Sequence, residues 1–132
     1  MKRLLLLSCA VAVTTTALPA RAADEPATFL TNFCYAITKE NEAWLRGRVK
    51  LPLNARKANV PEGGGAPRFE HLTLRTSKQI IESKLCEGLD VEKATVSESS
   101  RGWTLHVPGK GFETTIELER SPRVRLIGFL ER

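Results

Sequence analysis

The chain has 132 residues, with 20 Lys+Arg, 15 Asp+Glu, two His and three Cys. That length holds one core and excludes two independent ones. A composition of 42% apolar and 27% charged residues excludes a disordered tail or a collagenous chain.

The first 22 residues read as a leader. Met1-Lys2-Arg3 is a positive head, Leu4 to Leu18 is an apolar run, and Pro19-Ala20-Arg21-Ala22 is a small-residue exit. This pattern predicts a secretory signal peptide cut between Ala22 and Ala23, followed by one domain over 23–132. A membrane helix needs about 20 apolar residues. The run stops at Pro19 and Arg21, so no stable membrane insertion is expected after processing. Leu6-Leu7-Ser8-Cys9 resembles a lipoprotein box and leaves lipidation at Cys9 as an alternative.

Without the leader, 17 basic and 15 acidic residues remain over 110 positions, a net charge of +2. No Lys/Arg block is interleaved with aromatics, so a nucleic-acid partner is not expected. Cys34 and Cys86 also remain, an even pair in an exported chain, and a disulfide between them is the favoured reading. Closing a loop of about 53 residues would stabilise the fold by about 4 kcal/mol in the chain-entropy model. Two separate buried thiols are the alternative. Neither cysteine has a partner at metal-ligand spacing, so no metal or cofactor is expected.

Asp24-Glu25-Pro26 predicts a helix start. Phe29, Phe33 and Ile37 follow at helical spacing, with Leu30 and Cys34 on the same stripe. Lys39 to Arg46 continues as a second short helix or a bent extension, stopped by Gly47. Arg48 to Leu53 alternates and reads as an edge strand because Pro52 cannot donate to a ladder. Asn54 to Pro67, with Gly63-Gly64-Gly65, reads as a long surface loop. No Lys-Ser/Thr follows those glycines, so they form no phosphate cradle.

Phe69 to Arg75 predicts a strand, and Thr76-Ser77-Lys78-Gln79 a capping box that opens a short helix ending at Gly88. Ile80-Ile81 fits a strand as well. The last third holds four runs: Val91 to Ser97, Trp103 to Val107, Phe112 to Glu119 and Arg123 to Leu130. Turn signals separate them and predict an antiparallel meander. The four-residue turn at 108–111 sets Trp103 opposite Ile116 and Leu105 opposite Thr114, and keeping apolar side chains together in the last hairpin sets Leu118 opposite Val124 and Ile116 opposite Leu126. Glu117 then faces Arg125, Glu119 faces Arg123, and His106 faces Glu113. The expected class is α+β, with N-terminal helices packed on a curved, mostly antiparallel sheet that ends in a four-strand meander.

The order of elements resembles the nuclear transport factor two-like superfamily, the cone-shaped fold also called cystatin-like. Within it the chain is similar to an exported bacterial family of unassigned function, through Phe29-x-x-x-Phe33 and Trp44-Leu45-Arg46-Gly47-Arg48-Val49-Lys50-Leu51-Pro52-Leu53. Leu51 stands where that family has an aromatic. The resemblance implies a periplasmic or secreted protein. It does not fix an activity, since the fold hosts isomerases, dehydratases, binders and dimerisation modules.

Trp44, Arg48 and His71 are the candidate pocket residues. By alternation, Ile127 and Phe129 share the polar sheet face with Arg125 and call for coverage, either by the short helix or by a second copy of the chain at a candidate homodimer interface. No Ser-His-Asp arrangement, paired buried carboxylates or His-rich spacing appears. The expectation is therefore a non-enzymatic exported domain that binds a small ligand or a protein. An effector-neutralising, immunity-type periplasmic protein is one alternative. An isomerase- or dehydratase-like enzyme using His71 or His106 with a neighbouring Glu is the other.

Overall fold

The computed structural model describes residues 25–121 and 123–132. The leader, the cleavage residues Ala22 and Ala23, Cys9 and the capping Asp24 lie outside the described residues.

The first helix, α1 (25–38), buries Phe29, Leu30, Phe33, Ala36 and Ile37 along one stripe, as the apolar spacing requires. It closes through Glu40, held at φ 55°. The Asn41 N–H reaches back to the Ala36 carbonyl at 2.8 Å, and the Glu40 N–H to that of Ile37. Asn41 also starts the next helix, α2 (Glu42–Arg48), where its side chain accepts from the Trp44 N–H at 3.1 Å. One residue thus ends one helix and begins another, which fixes the corner between them. The helix runs through Gly47 instead of stopping there.

Three short segments correct the sequence expectation. Val49 makes only an isolated bridge to Leu126, and the strand β1 begins after the cis Leu51–Pro52 bond, spanning Leu53–Asn59. The edge strand expected over 48–53 is thus not formed, and β1 stands where a loop was expected, inside the sheet between β2 (Arg68–Leu74) and the last strand. The expected long loop therefore shrinks to 60–67, with Gly63 to Gly65 all at positive φ. Then α3 (Ser77–Ser83) forms with the expected capping box, Thr76 and Gln79 each bonding the other's backbone.

Val91–Lys93 is a 3₁₀ turn, so the strand expected there is reduced to β3 (Thr95–Glu98). Asp90 precedes that turn without a side-chain cap bond, and its carboxylate instead lies 3.8 Å from Lys93 Nζ. The strands β4 (Gly102–Pro108), β5 (Glu113–Glu119) and β6 (Arg125–Glu131) complete the meander.

Among the described residues, three helices pack with one six-stranded sheet of order β2-β1-β6-β5-β4-β3, an α+β arrangement in which only β1 and β6 run parallel. The core lies between the helices and one sheet face. There Phe33 and Phe129 meet at 6.4 Å between ring centroids, beside the fully buried Leu45, Leu105, Ile116 and Leu126. Cys34 of α1 is bonded to Cys86, just beyond α3, with Cα atoms 5.6 Å apart. This covalent tie reinforces the packing of both helices on the sheet.

The meander registers differ from the expected ones. Leu105 faces Ile116, Trp103 faces Leu118 and His106 faces Thr115. Leu118 faces Leu126 and Glu119 faces Arg125, while Ile116 faces Phe129. Between Glu117 and Leu118 the pairing slips, and β6 gains one residue at Ile127. That bulge reverses the alternation downstream. Phe129 turns inward and becomes fully buried, Ile127 is half-buried, and Arg125 is engaged by Glu119. Phe129 therefore cannot belong to an exposed dimer face.

Candidate functional site

Helical spacing builds one pocket. Glu25, Thr28, Phe29 and Asn32 recur at three- and four-residue steps on α1, so they share a face. Trp44 and Arg48, four residues apart on α2, face them, and Val124 closes the side from the turn before β6. The resulting recess has a volume of about 400 Å³, within the range of small-ligand sites. Phe29 and Trp44 form its floor, with centroids 5.4 Å apart and planes inclined by 46°. The Arg48 guanidinium stands over the Trp44 ring at 5.7 Å.

Arg48 sits in the last turn of α2, where the helix dipole favours a cation. Among the described residues, no carboxylate lies within salt-bridge distance of it. The recess thus combines an aromatic floor of two tilted rings with a cation that no carboxylate of the described residues pairs with. Two of the three candidate pocket residues, Trp44 and Arg48, come together here. His71 does not. It is exposed on β2, opposite Arg56, on the sheet face away from the helices.

His106 is exposed on that same outer face, with Nδ1 3.9 Å from Glu113 Oε1. The contact is diagonal, because Thr115 is the residue directly opposite. Neither histidine lines the recess between α1 and α2. Among the described residues, no group of three or more His, Cys, Asp or Glu side chains gathers to hold a metal.

Sequence reasoning missed one buried acid. Glu131 is 1% exposed, and its carboxylate accepts from the Ala58 N–H at 2.6 Å and from Thr114 Oγ1 at 3.3 Å. It spans the seam where β1 and β6 part company after Arg56 and Leu130. Burial raises its pKa above the usual carboxylate value, against the lowering effect of those two bonds and of the Lys57 charge. Strict alternation puts Glu131 outside; the bulge at Ile127 brings it in. Gly128, a glycine within a strand, is the sequence sign of such a bulge. Nearby, Arg56 Nε is buried without a hydrogen-bond partner, and its guanidinium stacks on Phe69 at 4.6 Å.

A larger groove of about 730 Å³ lies at the N-terminal end of α2, between Glu40, Glu42, Glu82 and Glu87 on one hand and Lys78 and Lys84 on the other. No helix among the described residues is long and apolar enough to cross a membrane. Comparison with family models, with curated proteins and with solved structures finds no match.

Proposed function

We propose that the chain is an exported binding domain, acting in the periplasm or outside the cell, that receives a ligand or a partner's side chain between α1 and α2. The observation that carries this reading is the pocket itself: an aromatic floor of Phe29 and Trp44 beneath an Arg48 that no carboxylate of the described residues engages. The leader pattern and the Cys34–Cys86 bond support the compartment, since disulfides persist in oxidising surroundings. Two helices ahead of a hairpin, a third helix and a terminal meander support membership of the nuclear transport factor two-like superfamily.

Catalysis has less support. The histidines of the isomerase-like alternative stand exposed on the outer face, and the buried Glu131 is occupied by the Ala58 and Thr114 bonds.

The test expresses the full chain with its own leader in a bacterium and recovers it from the periplasmic fraction. The expected product begins at Ala23 and resists thiol alkylation until reduced. Cytoplasmic retention with two free thiols would overturn export. The immobilised protein then captures its ligands from periplasmic and culture fluid. Captured material should disappear with Trp44→Ala and with Arg48→Ala and persist with His106→Ala; equal capture by all three would remove the pocket from the proposal.

A further inference from the structure

Three connections meet at the C-terminal end of α2. The Lys50 N–H donates to the Leu126 carbonyl at 2.9 Å, and the Arg120 N–H to that of Arg101 at 2.9 Å. A Cβ placed on Gly47 would stand 3.8 Å from Arg123 Nη1, so the α2 backbone adjoins the β5–β6 turn. Lys50, Arg101 and Arg120, with the one acid Glu119, line a second recess of about 540 Å³, and the bulged Ile127 is among its walls. Val124, next in sequence to Arg123, lines the Phe29–Trp44 pocket. Arg48, Lys50, Arg101, Arg120 and Arg123 therefore surround two neighbouring depressions at one end of the molecule.

The acids on this end are already engaged. Glu98 pairs with Arg120 at 2.7 Å, and Glu119 pairs with Arg125. Among the described residues, no carboxylate pairs with Arg48, Lys50, Arg101 or Arg123. The groove at the other end of α2 has the reverse balance, four glutamates to two lysines. The two ends of one short helix thus carry opposite charge balances, which gives the surface a field that orients an approaching partner.

We infer that the cationic end docks an acidic segment of a partner protein, with one apolar side chain of that segment seated in the Phe29–Trp44 pocket. The inference rests on the binding reading above and supplies its partner class. A recess favours a protein over other polyanions. A sugar-sulfate or phosphodiester chain brings charge but no apolar side chain to fill it, and a lipid surface calls for apolar groups that protrude. Trp and Arg are also the residue types that dominate protein–protein hot spots. Glu25 lines the pocket on the α1 side and directs the partner's carboxylates toward Arg48 and Arg123.

The test measures fluorescence anisotropy of a labelled peptide, Glu-Asp-Glu-Leu-Asp-Glu-Asp, with the oxidised protein recovered from the periplasm. The matched peptide has Ser in place of Leu. The leucine peptide should bind, more weakly as salt rises, and the serine peptide should bind several-fold more weakly. Arg48→Glu combined with Arg123→Glu should weaken binding by about tenfold or more, and Lys78→Glu, in the distant groove, by less than about twofold. Arg48→Gln, the milder change, should give an intermediate loss, and Glu25→Gln a modest gain. Binding by neither peptide, equal affinity for both, or unchanged affinity in the double variant would overturn the inference. So would stronger competition by heparin fragments or by phosphatidylglycerol vesicles, which would reassign the surface to a polyanion or a membrane. If capture depends on Trp44 while neither peptide binds, the binding reading stands and this inference falls.

Discussion

The meander and the β1–β2 hairpin belong to one sheet but are held by different forces. On the helix-facing side of β4, β5 and β6, Trp103, Leu105, Val107, Ile116, Leu118, Leu126 and Phe129 are all buried. On β1 and β2 that side buries Leu53, Ala55 and Leu74 and half-buries Leu72, and further along it carries Lys57 and Glu70. The meander is stabilised by apolar area removed from water. The hairpin depends on polar and stacking ties: the Glu131 carboxylate on the Ala58 N–H, and the Arg56 guanidinium on Phe69. A strand pair with less apolar surface can be retained in a sheet by its own cross-strand stacking and by a bond such as the one that Glu131 of β6 supplies.

The contrast is sharpest when each half is cut. Phe129→Ala removes a fully buried ring in contact with Phe33, and urea unfolding should show a loss of about 3–5 kcal/mol. Cys34→Ser with Cys86→Ser tests the tie beneath both halves, and the same measurement should show a loss of about 4 kcal/mol. Gly102→Ala attacks the meander by crowding, since a Cβ there would stand 1.9 Å from the Leu118 carbonyl oxygen. Backbone cannot step aside as a side chain can, and a thermal melt should report a cost of about 1–3 kcal/mol.

The hairpin seam should respond to pH. Burial raises the Glu131 pKa in the folded state, so the native protein holds this proton at pH values where the unfolded chain has released it. Its contribution is complete below the ordinary carboxylate value and is lost as pH rises through the raised one. Urea midpoints taken across that window should fall with pH in the wild type. In Glu131→Gln that part of the slope should vanish; an unchanged slope would place the titration elsewhere. The smallest effect is expected at His71→Ala, which removes an exposed side chain from β2 and should move stability by no more than about 0.5 kcal/mol. Native-state hydrogen exchange completes the comparison, with β2 amides opening at lower free energy than those of β4 and β5.

How much of this was legible follows from the period of a strand. Alternation and turn residues identified the meander, and a capping box identified α3. Register was another matter. Side-chain faces repeat every two residues, so pairing Leu105 with Thr114 or with Ile116 keeps the same faces together, and alternation cannot choose between them. The turn chooses: Pro108 pairs with Glu113, two positions from the expected arrangement. The extra residue at Ile127 then inverts one strand end, which hid both the burial of Phe129 and the inward acid. β1 gave almost no local signal, because Ala55 and Ala58 are small and Arg56 and Lys57 are charged. Its strand conformation is imposed by β2 and β6 on either side. The pocket was half legible, in that Trp44 and Arg48 share one side of a helix, while the face of Phe29 that joins them depends on the corner at Asn41.

The sulfur–sulfur bond encloses more of the chain than the two helices it joins. Between its ends lie α2, the hairpin, the glycine turn at 60–67 and α3. A protease that severs the backbone in that turn would leave two polypeptides still linked, with the meander whole and the corner at Asn41 uncut. Such a nicked molecule would run as one species on a gel until a reductant released the shorter piece. Wear at this exposed turn would then cost the protein a peptide bond and not its shape.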